Sequence, residues 1–379
     1  MPRPTPSDTP ISLTIGGLGL TSLGLQPQIV DAATGAGLDA GLAGLLSTLE
    51  IGMMGLASIL MLRGALGAIR KALLIPGAAL MALGNALAGA GADIVPIMIG
   101  RGMAGIGEGL LASVGVAVVI ASKAPVRDSA RFIACSAVPQ LLCCGILSFT
   151  GGLHSAIAMP LLLLVGTGVV ALWPILALAV PRAVQAGPSR RPSPPALAAL
   201  LLLVMLNAVG SACWTYLGAL GQASGLSPAL ITACLTASLV TQIAASLLLG
   251  WREPKHRLVP LLMLVLAAQT AASLCLPLTA SGPAYLAGAA AFGFTWQAGL
   301  PLATGLFRQS DPQGSASFLA LPATLLGIAV GPGAAGLLTG ADTGPAPTFF
   351  LSAMLLAATG AGLTLLGLIA KIRSPQTCA

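Results

Sequence analysis

The 379-residue chain carries 17 Lys or Arg against 10 Asp or Glu, so only 7% of its residues are charged, while 56% are hydrophobic and the mean hydropathy is +0.96. A soluble globular chain carries about a quarter charged residues, and a disordered one combines low hydrophobicity with high net charge, so both classes are excluded. What remains is an integral membrane protein, and its long Leu/Ala/Gly/Val blocks do not alternate as lipid-embedded barrel strands do, so its spans are helices that satisfy their own backbones.

Met1 to Pro10 lacks a net-positive segment, and the apolar run after it is long enough to span, so an uncleaved first span is expected rather than a removed signal peptide. A span takes about twenty mostly apolar residues. That ruler predicts spans at 11–30, 40–62, 72–92, 94–122, 132–151, 157–180, 196–220, 228–250, 258–279, 283–307, 314–338 and 347–370. The narrowest divisions fall at Gly91 to Pro96 and at 280–283.

Lys and Arg accumulate in cytoplasmic loops. With the N-terminus inside, Arg3, Arg63, Arg70, Lys71, Lys123, Arg127, Arg131, Arg182, Arg190 and Arg191 fall on one side, joined by Arg252, Lys255, Arg257, Arg308, Lys371 and Arg373. The outer loops receive only Asp31, Asp39, Asp93, Asp342 and His154. Losing or adding one span would scramble this sorting, so twelve spans with both termini cytoplasmic are expected. The basic residues are thereby assigned to orientation; no basic patch with interleaved aromatics points to nucleic acid.

Pro181 to Pro195 is the long polar, proline-rich stretch of the chain, with six predicted spans on each side. The expected fold is an all-α membrane protein with twelve transmembrane helices in two pseudo-symmetric six-helix bundles, 1–180 and 196–379, joined by a cytoplasmic linker at 181–195. Short basic loops join the second and third spans of each half, at Arg63 to Lys71 and at Trp251 to Arg257, as duplicated transporter halves would produce. Cys135, Cys143, Cys144, Cys213, Cys234 and Cys275 lie in apolar stretches, and Cys378 near the end, with no metal-ligand spacing. His154 and His256 are far apart, so no histidine metal site is expected.

Three ionisable residues fall inside predicted spans: Glu50 in the second, and Arg101 and Glu108 in the fourth. A charge at that depth costs at least about 2.5–3.5 kcal/mol, so each requires a partner, a hydrated cavity or one another. Arg101 and Glu108 share a helix face but stand about 10.5 Å apart along it, and Arg101 leans away from Glu108 toward the helix N-terminus. A partner on another span, Glu50 among them, suits Arg101 better. Arg101 then either ties spans together or contacts a solute. A mid-membrane carboxyl can take a proton from one side and release it to the other, which makes Glu108 the first candidate for proton coupling and Glu50 the second; Glu50 has the alternative of an inter-helix hydrogen bond. Gly105, Gly109 and Ser113 form a small-residue stripe suited to close helix packing. The glycines open no helix after a strand, which rejects a dinucleotide fingerprint.

Arg101-x-x-x-Gly105-x-Gly107-x-Gly109, in the fourth of twelve predicted spans, resembles the fourth-helix motif of the major facilitator superfamily, and the six-plus-six layout resembles that family over essentially the whole chain. Of that family's loop between spans 2 and 3, Leu62 to Lys71 keeps Gly67 and Arg70-Lys71 but lacks the acid. Span 5 keeps Pro139 of the drug-antiporter branch without the preceding glycine; a Gly-Pro-Gly run occurs instead at 331–333. The resemblance implies that spans 1, 4, 7 and 10 line a central cavity. These and span 5 supply the candidate solute contacts Gln26, Arg101, Gln140, Asn207, Trp214, Trp296 and Gln297, with Gln28 and Tyr216 nearby. Trp and Tyr near span ends also suit interfacial belts, and a lone amide also suits helix joining.

The function expected is secondary active transport of a small organic solute by alternating access, coupled to protons. A multidrug or metabolite efflux proton antiporter is the nearest alternative. No phosphate loop supports ATP hydrolysis, no carboxylate or histidine cluster at one membrane face supports a polytopic membrane enzyme, and no sizeable soluble domain supports a receptor. The expected partners are a solute, protons and lipid, with no nucleic acid, cofactor or metal, and the chain is expected to act as a monomer. Arg in excess over Lys, an Ala/Gly-rich make-up and no glycosylation sequon suggest a bacterial cytoplasmic (inner) membrane.

Overall fold

The computed structural model describes residues 8–62, 71–91, 93–122, 125–149, 158–178, 192–251, 257–279, 281–311, 319–339 and 344–373. Arg3, Arg63, Gly67, Arg70, Lys123, His154, the linker from Pro181 to Arg191, Arg252, Lys255, His256, Asp342 and Cys378 lie outside the described residues.

The single span expected at 11–30 is broken into α1 (Asp8–Leu18), α2 (Thr21–Gly24) and α3 (Gln26–Gly35). Two local causes stand out. Pro27, which has no N–H to give, occupies the first turn of α3. Gly19 presses so close to α6 (Ile94–Ala121) that a Cβ there would lie 2.7 Å from the Glu108 carbonyl oxygen. The breaks stay satisfied because the Leu20 and Leu25 amides donate to the Gly17 and Ser22 carbonyls, each at 3.0 Å. Unmet backbone groups would not survive in lipid.

Next come α4 (Ala40–Leu62), α5 (Lys71–Ala90), α6, α7 (Pro125–Phe149) and α8 (Ala158–Ala177). After the linker come α9 (Pro194–Thr215), α10 (Leu217–Ala223), α11 (Pro228–Trp251), α12 (Leu258–Cys275), α13 (Gly282–Ser310), α14 (Ala320–Leu338) and α15 (Ala346–Arg373). Among the described residues, α4 to α9, α11, α12, α14 and α15 are ten helices long and apolar enough to cross a membrane. The 29-residue α13 is long enough but more polar, since it carries Tyr285, Thr295, Trp296, Gln297 and Arg308.

The boundaries expected from hydropathy shift where helices continue past the apolar stretch. Arg127 and Arg131, expected in a loop, lie in α7, where Arg131 bonds Asp128 at 3.2 Å. Asp31, expected in an outer loop, lies in α3, and Arg308 in the last turn of α13. Hydrogen bonding along a helix does not stop where its side chains turn polar. The expected 196–220 span is divided at Tyr216 into α9 and α10.

Within 8–178, α6 packs against α5, α4 and α1, and α5 against α8; within 192–373, α13 packs against α11, α12 and α9, and α12 against α15. The two sets meet mainly where α4 runs along α14 and α7 along α11. Apolar packing between them is uneven from end to end. At one end a continuous cluster joins Val30 and Leu46 to Trp214, Leu217 and Phe292. At the other, Leu203, Leu262 and Phe307 pack only with their own half, while Met61, Leu74 and Phe132 meet the second set only through the start of α14.

Candidate functional site

The three ionisable groups that the sequence puts inside spans are all fully buried and form one cluster. Arg101 Nη2 makes an ion pair with Glu50 Oε2, and Nη1 donates to Asn85 Oδ1 at 2.8 Å. Asn85 is held for this by its own Nδ2, which donates to the Met81 carbonyl at 2.9 Å. Gln26 Nε2 donates to Glu50 Oε2 at 2.8 Å, and Ser22 Oγ to Glu108 Oε2 at 2.9 Å. Glu50 and Glu108 lie close enough to interact electrostatically. Glu50 Oε1, Glu108 Oε1 and Arg101 Nε have no partner.

Glycine sets the helix spacing that makes this possible. A Cβ on Gly105 would overlap the Glu50 carbonyl oxygen, and one on Gly109 the Met54 carbonyl. Gly107 stands in the same relation to the Gly77 carbonyl on α5. The stripe of small residues thus faces α4, where Ser58 Oγ reaches the Gly109 carbonyl at 3.2 Å. Close approach of α4 and α6 brings Glu50 to Arg101, while Ser22 and Gln26 on the broken first segment cover the carboxyl groups.

A cavity of about 200 Å³ lies between the two sets of helices. Of the candidate contacts, Gln26, Gln140, Trp214, Trp296 and Gln297 line it; Arg101, Asn207, Glu50 and Glu108 do not. Gln140 Nε2 donates to the Leu20 carbonyl at 2.8 Å and Trp214 Nε1 to the Leu23 carbonyl at 3.0 Å. Trp296 covers Gly210, where a Cβ would overlap the indole, and tilts against Phe292 with ring centroids 6.0 Å apart. Asn207 sits behind the wall, its Nδ2 bonded to the Leu203 carbonyl at 2.7 Å. Gln28 bonds Cys144 Sγ at 3.2 Å. Gln26 lines the cavity and also bonds the charge cluster.

One end of the cavity is lined by Ser129, Phe132, Phe307 and Arg308, near the basic end of the described helices. The opposite end is closed by bonds between the two sets. Besides Trp214, Tyr216 OH donates to the Ala40 carbonyl at 2.7 Å and Thr48 Oγ1 to the Ala329 carbonyl at 2.6 Å.

Sequence reading missed Ser22, Asn85, Thr215 and Gln242. Asn85 and Gln242 carried a usable signal, since each is an amide deep within a predicted span, the feature that marked Gln140. Ser22 and Thr215 carried none, because hydroxyls are common in such helices.

No family model and no curated protein matches the sequence. The fold is similar to that of the crystal structure of the human organic anion transporter MFSD10 (TETRAN), with a TM-score of 0.69 at 14% identity, covering 95% of this chain and 100% of that one. The chain therefore shares the fold of that structure, in agreement with the fold implied by the resemblance carried by Arg101, Gly105, Gly107 and Gly109.

Proposed function

We propose that the chain is a secondary active transporter working by alternating access between two six-helix bundles. Its twelve spans are the ten long apolar helices, the more polar α13, and the broken segment α1 to α3. The bundles are 1–180 and 196–379, joined by the linker at 181–195. The basic end is cytoplasmic by the positive-inside rule, in a bacterial inner membrane with both termini inside, and the described conformation is inward-open.

One observation carries this reading: a cavity walled by both sets of helices narrows against bonded, apolar packing at one end and reaches Arg308 at the other. A membrane enzyme would need reactive groups in contact with its substrate; among the described residues the buried carboxyls stand behind the cavity wall instead. Gln26, Gln140, Trp214, Trp296 and Gln297 contact the solute. Asn207 stays behind the wall, bonded to Leu203 of its own helix, and Arg101 acts through Glu50 and Gln26 rather than by touching the solute in this conformation.

Proton coupling follows from charge balance. Arg101 offsets Glu50, and a proton on Glu108 would neutralise the remaining carboxyl and satisfy an orphaned oxygen between the two acids. Releasing it would set two carboxylates against each other, and because Ser22 and Gln26 donate to these two groups, the repulsion would reach α2 and α3 beside the cavity, linking protonation to the shape of the site.

The test is residue accessibility in a variant whose native cysteines are replaced. Thr304→Cys at the open mouth is expected to react with a membrane-impermeant maleimide from the basic face. Leu220→Cys, buried in the closed end, is expected to react only from the opposite face and only when Thr304→Cys is protected. Labelling of both from one face, or of Leu220→Cys under no condition, rejects alternating access.

A further inference from the structure

Four buried polar atoms around the cavity have no partner: Gln26 Oε1, Thr215 Oγ1, Gln242 Nε2 and Trp296 Nε1. The Gln26 amide is oriented by chemistry, because its nitrogen faces the Glu50 carboxylate that pairs with Arg101. Reversing it would set two acceptors against each other. The free Gln26 atom is therefore an acceptor. Trp296 can only donate, and it stands with Gln242 on the other half of the wall. All four are covered as the cavity stands, with Trp296 Nε1 lying against Gly210; a turn of these side chains toward the cavity would present an acceptor on one side, donors on the other, and in Thr215 a hydroxyl able to serve as either.

Charge is arranged differently. Glu50, Arg101 and Glu108 are shut behind Gln26. Arg308 is the one charged side chain lining the cavity among the described residues; it lies at the mouth and is engaged by other groups. Most of the remaining wall is apolar or aromatic, with Leu20, Ile51, Phe132, Leu300 and Ile328. An ionic solute would enter without a counter-charge, whereas a buried charge requires one. A neutral solute that hydrogen-bonds would instead satisfy the orphaned atoms. The volume of about 200 Å³ lies below the roughly 300–1,000 Å³ of drug-sized sites, so the solute is small.

We infer that the cavity takes an uncharged, mostly apolar ring compound whose hydrogen-bond acceptor meets Trp296 and Gln242 and whose donor meets Gln26. This rests on the transporter reading above and specifies its substrate class. It also separates this site from one built for organic anions, where an unpaired cation would face the ligand.

The test is calorimetric titration of the full-length protein in lipid nanodiscs at pH 7, with the signal from empty nanodiscs subtracted. Three probes share one skeleton: naphthalene-2-carboxamide, naphthalene-2-carboxylate and naphthalen-2-ylmethylammonium. The carboxamide is expected to bind at least tenfold more tightly than either ion. Trp296→Phe, which removes the donor and keeps a ring, is expected to weaken it about tenfold at an unchanged melting temperature. Should Trp296→Phe prove unstable, Gln242→Met is expected to give the same loss. Equal or tighter binding of either ion, no binding of any probe, or parent affinity in the folded variant overturns the inference. If an ion prevails while the Thr304 and Leu220 labelling still alternates, the substrate class fails and the transporter reading stands. If the labelling does not alternate, the transporter reading itself fails.

Discussion

Removing both members of the Glu50–Arg101 pair should cost far less than the two single removals added together. Glu50→Leu strands a guanidinium that cannot shed its charge, with Asn85 Oδ1 as its remaining partner and Nε already unmet. Breaking a buried pair costs about 3–5 kcal/mol, and this variant belongs near the upper figure, about 5 kcal/mol. Arg101→Met leaves a carboxyl that keeps the Gln26 bond and can bind a proton, so about 3 kcal/mol is expected. The double variant has no buried charge to compensate at this pair. Its losses are the partner of Asn85 Oδ1 and the Gln26 bond to Glu50, about 1–2 kcal/mol each, for a total of about 3 kcal/mol. That lies about 5 kcal/mol below the sum of the single changes. Reversible unfolding by SDS in mixed micelles measures all four proteins under one condition. If the double variant falls within ~0.5 kcal/mol of the sum, the residues act independently, and the ion pair is not what stabilises this packing.

Glu108→Gln is expected to abolish solute accumulation driven by a pH gradient in proteoliposomes while leaving solute exchange between the two sides. Accumulation at the parent rate would exclude Glu108 as the coupling group. Gly105→Ala, whose new methyl meets the Glu50 carbonyl oxygen, should destabilise the protein by about 1–3 kcal/mol in the same SDS titration; a change near zero would mean that α4 yields freely. Tyr216→Phe removes the bond to the Ala40 carbonyl, worth about 1 kcal/mol. Spin-label distances across the closed end should broaden toward longer values, and an unchanged distribution would show that this bond does not hold the end shut.

Sequence reading went furthest where a physical cost is large. Lone charges among apolar residues are expensive, so Glu50, Arg101 and Glu108 stood out, and helical lean suggested the Arg101–Glu50 pairing that the structure contains. Glycine at four-residue spacing likewise announced a close helix contact, though not that α4 supplies it. What stayed hidden depended on direction rather than identity. Hydropathy distinguishes neither a straight helix at 11–30 from one broken at Gly19 and Pro27, nor Asn207 behind the wall from Gln140 in it. Both are single amides in apolar runs, and rotation about the helix axis decides between them. Arg127, Arg131 and Arg308 show the same limit at helix ends, where a polar residue marks the end of the apolar stretch but not the last helical turn.

The closed end has an asymmetry in what mutation can reach. Trp214, Tyr216 and Thr48 each donate a side-chain proton to a main-chain oxygen, of Leu23, Ala40 and Ala329 respectively. Every residue type carries that oxygen, so exchanging the side chain at the receiving position leaves the acceptor in being. Each latch therefore has one heritable end. Drift on the receiving helices can proceed without unfastening it, and selection on how readily this side opens acts through the three donors, two on the second half of the chain and one on the first.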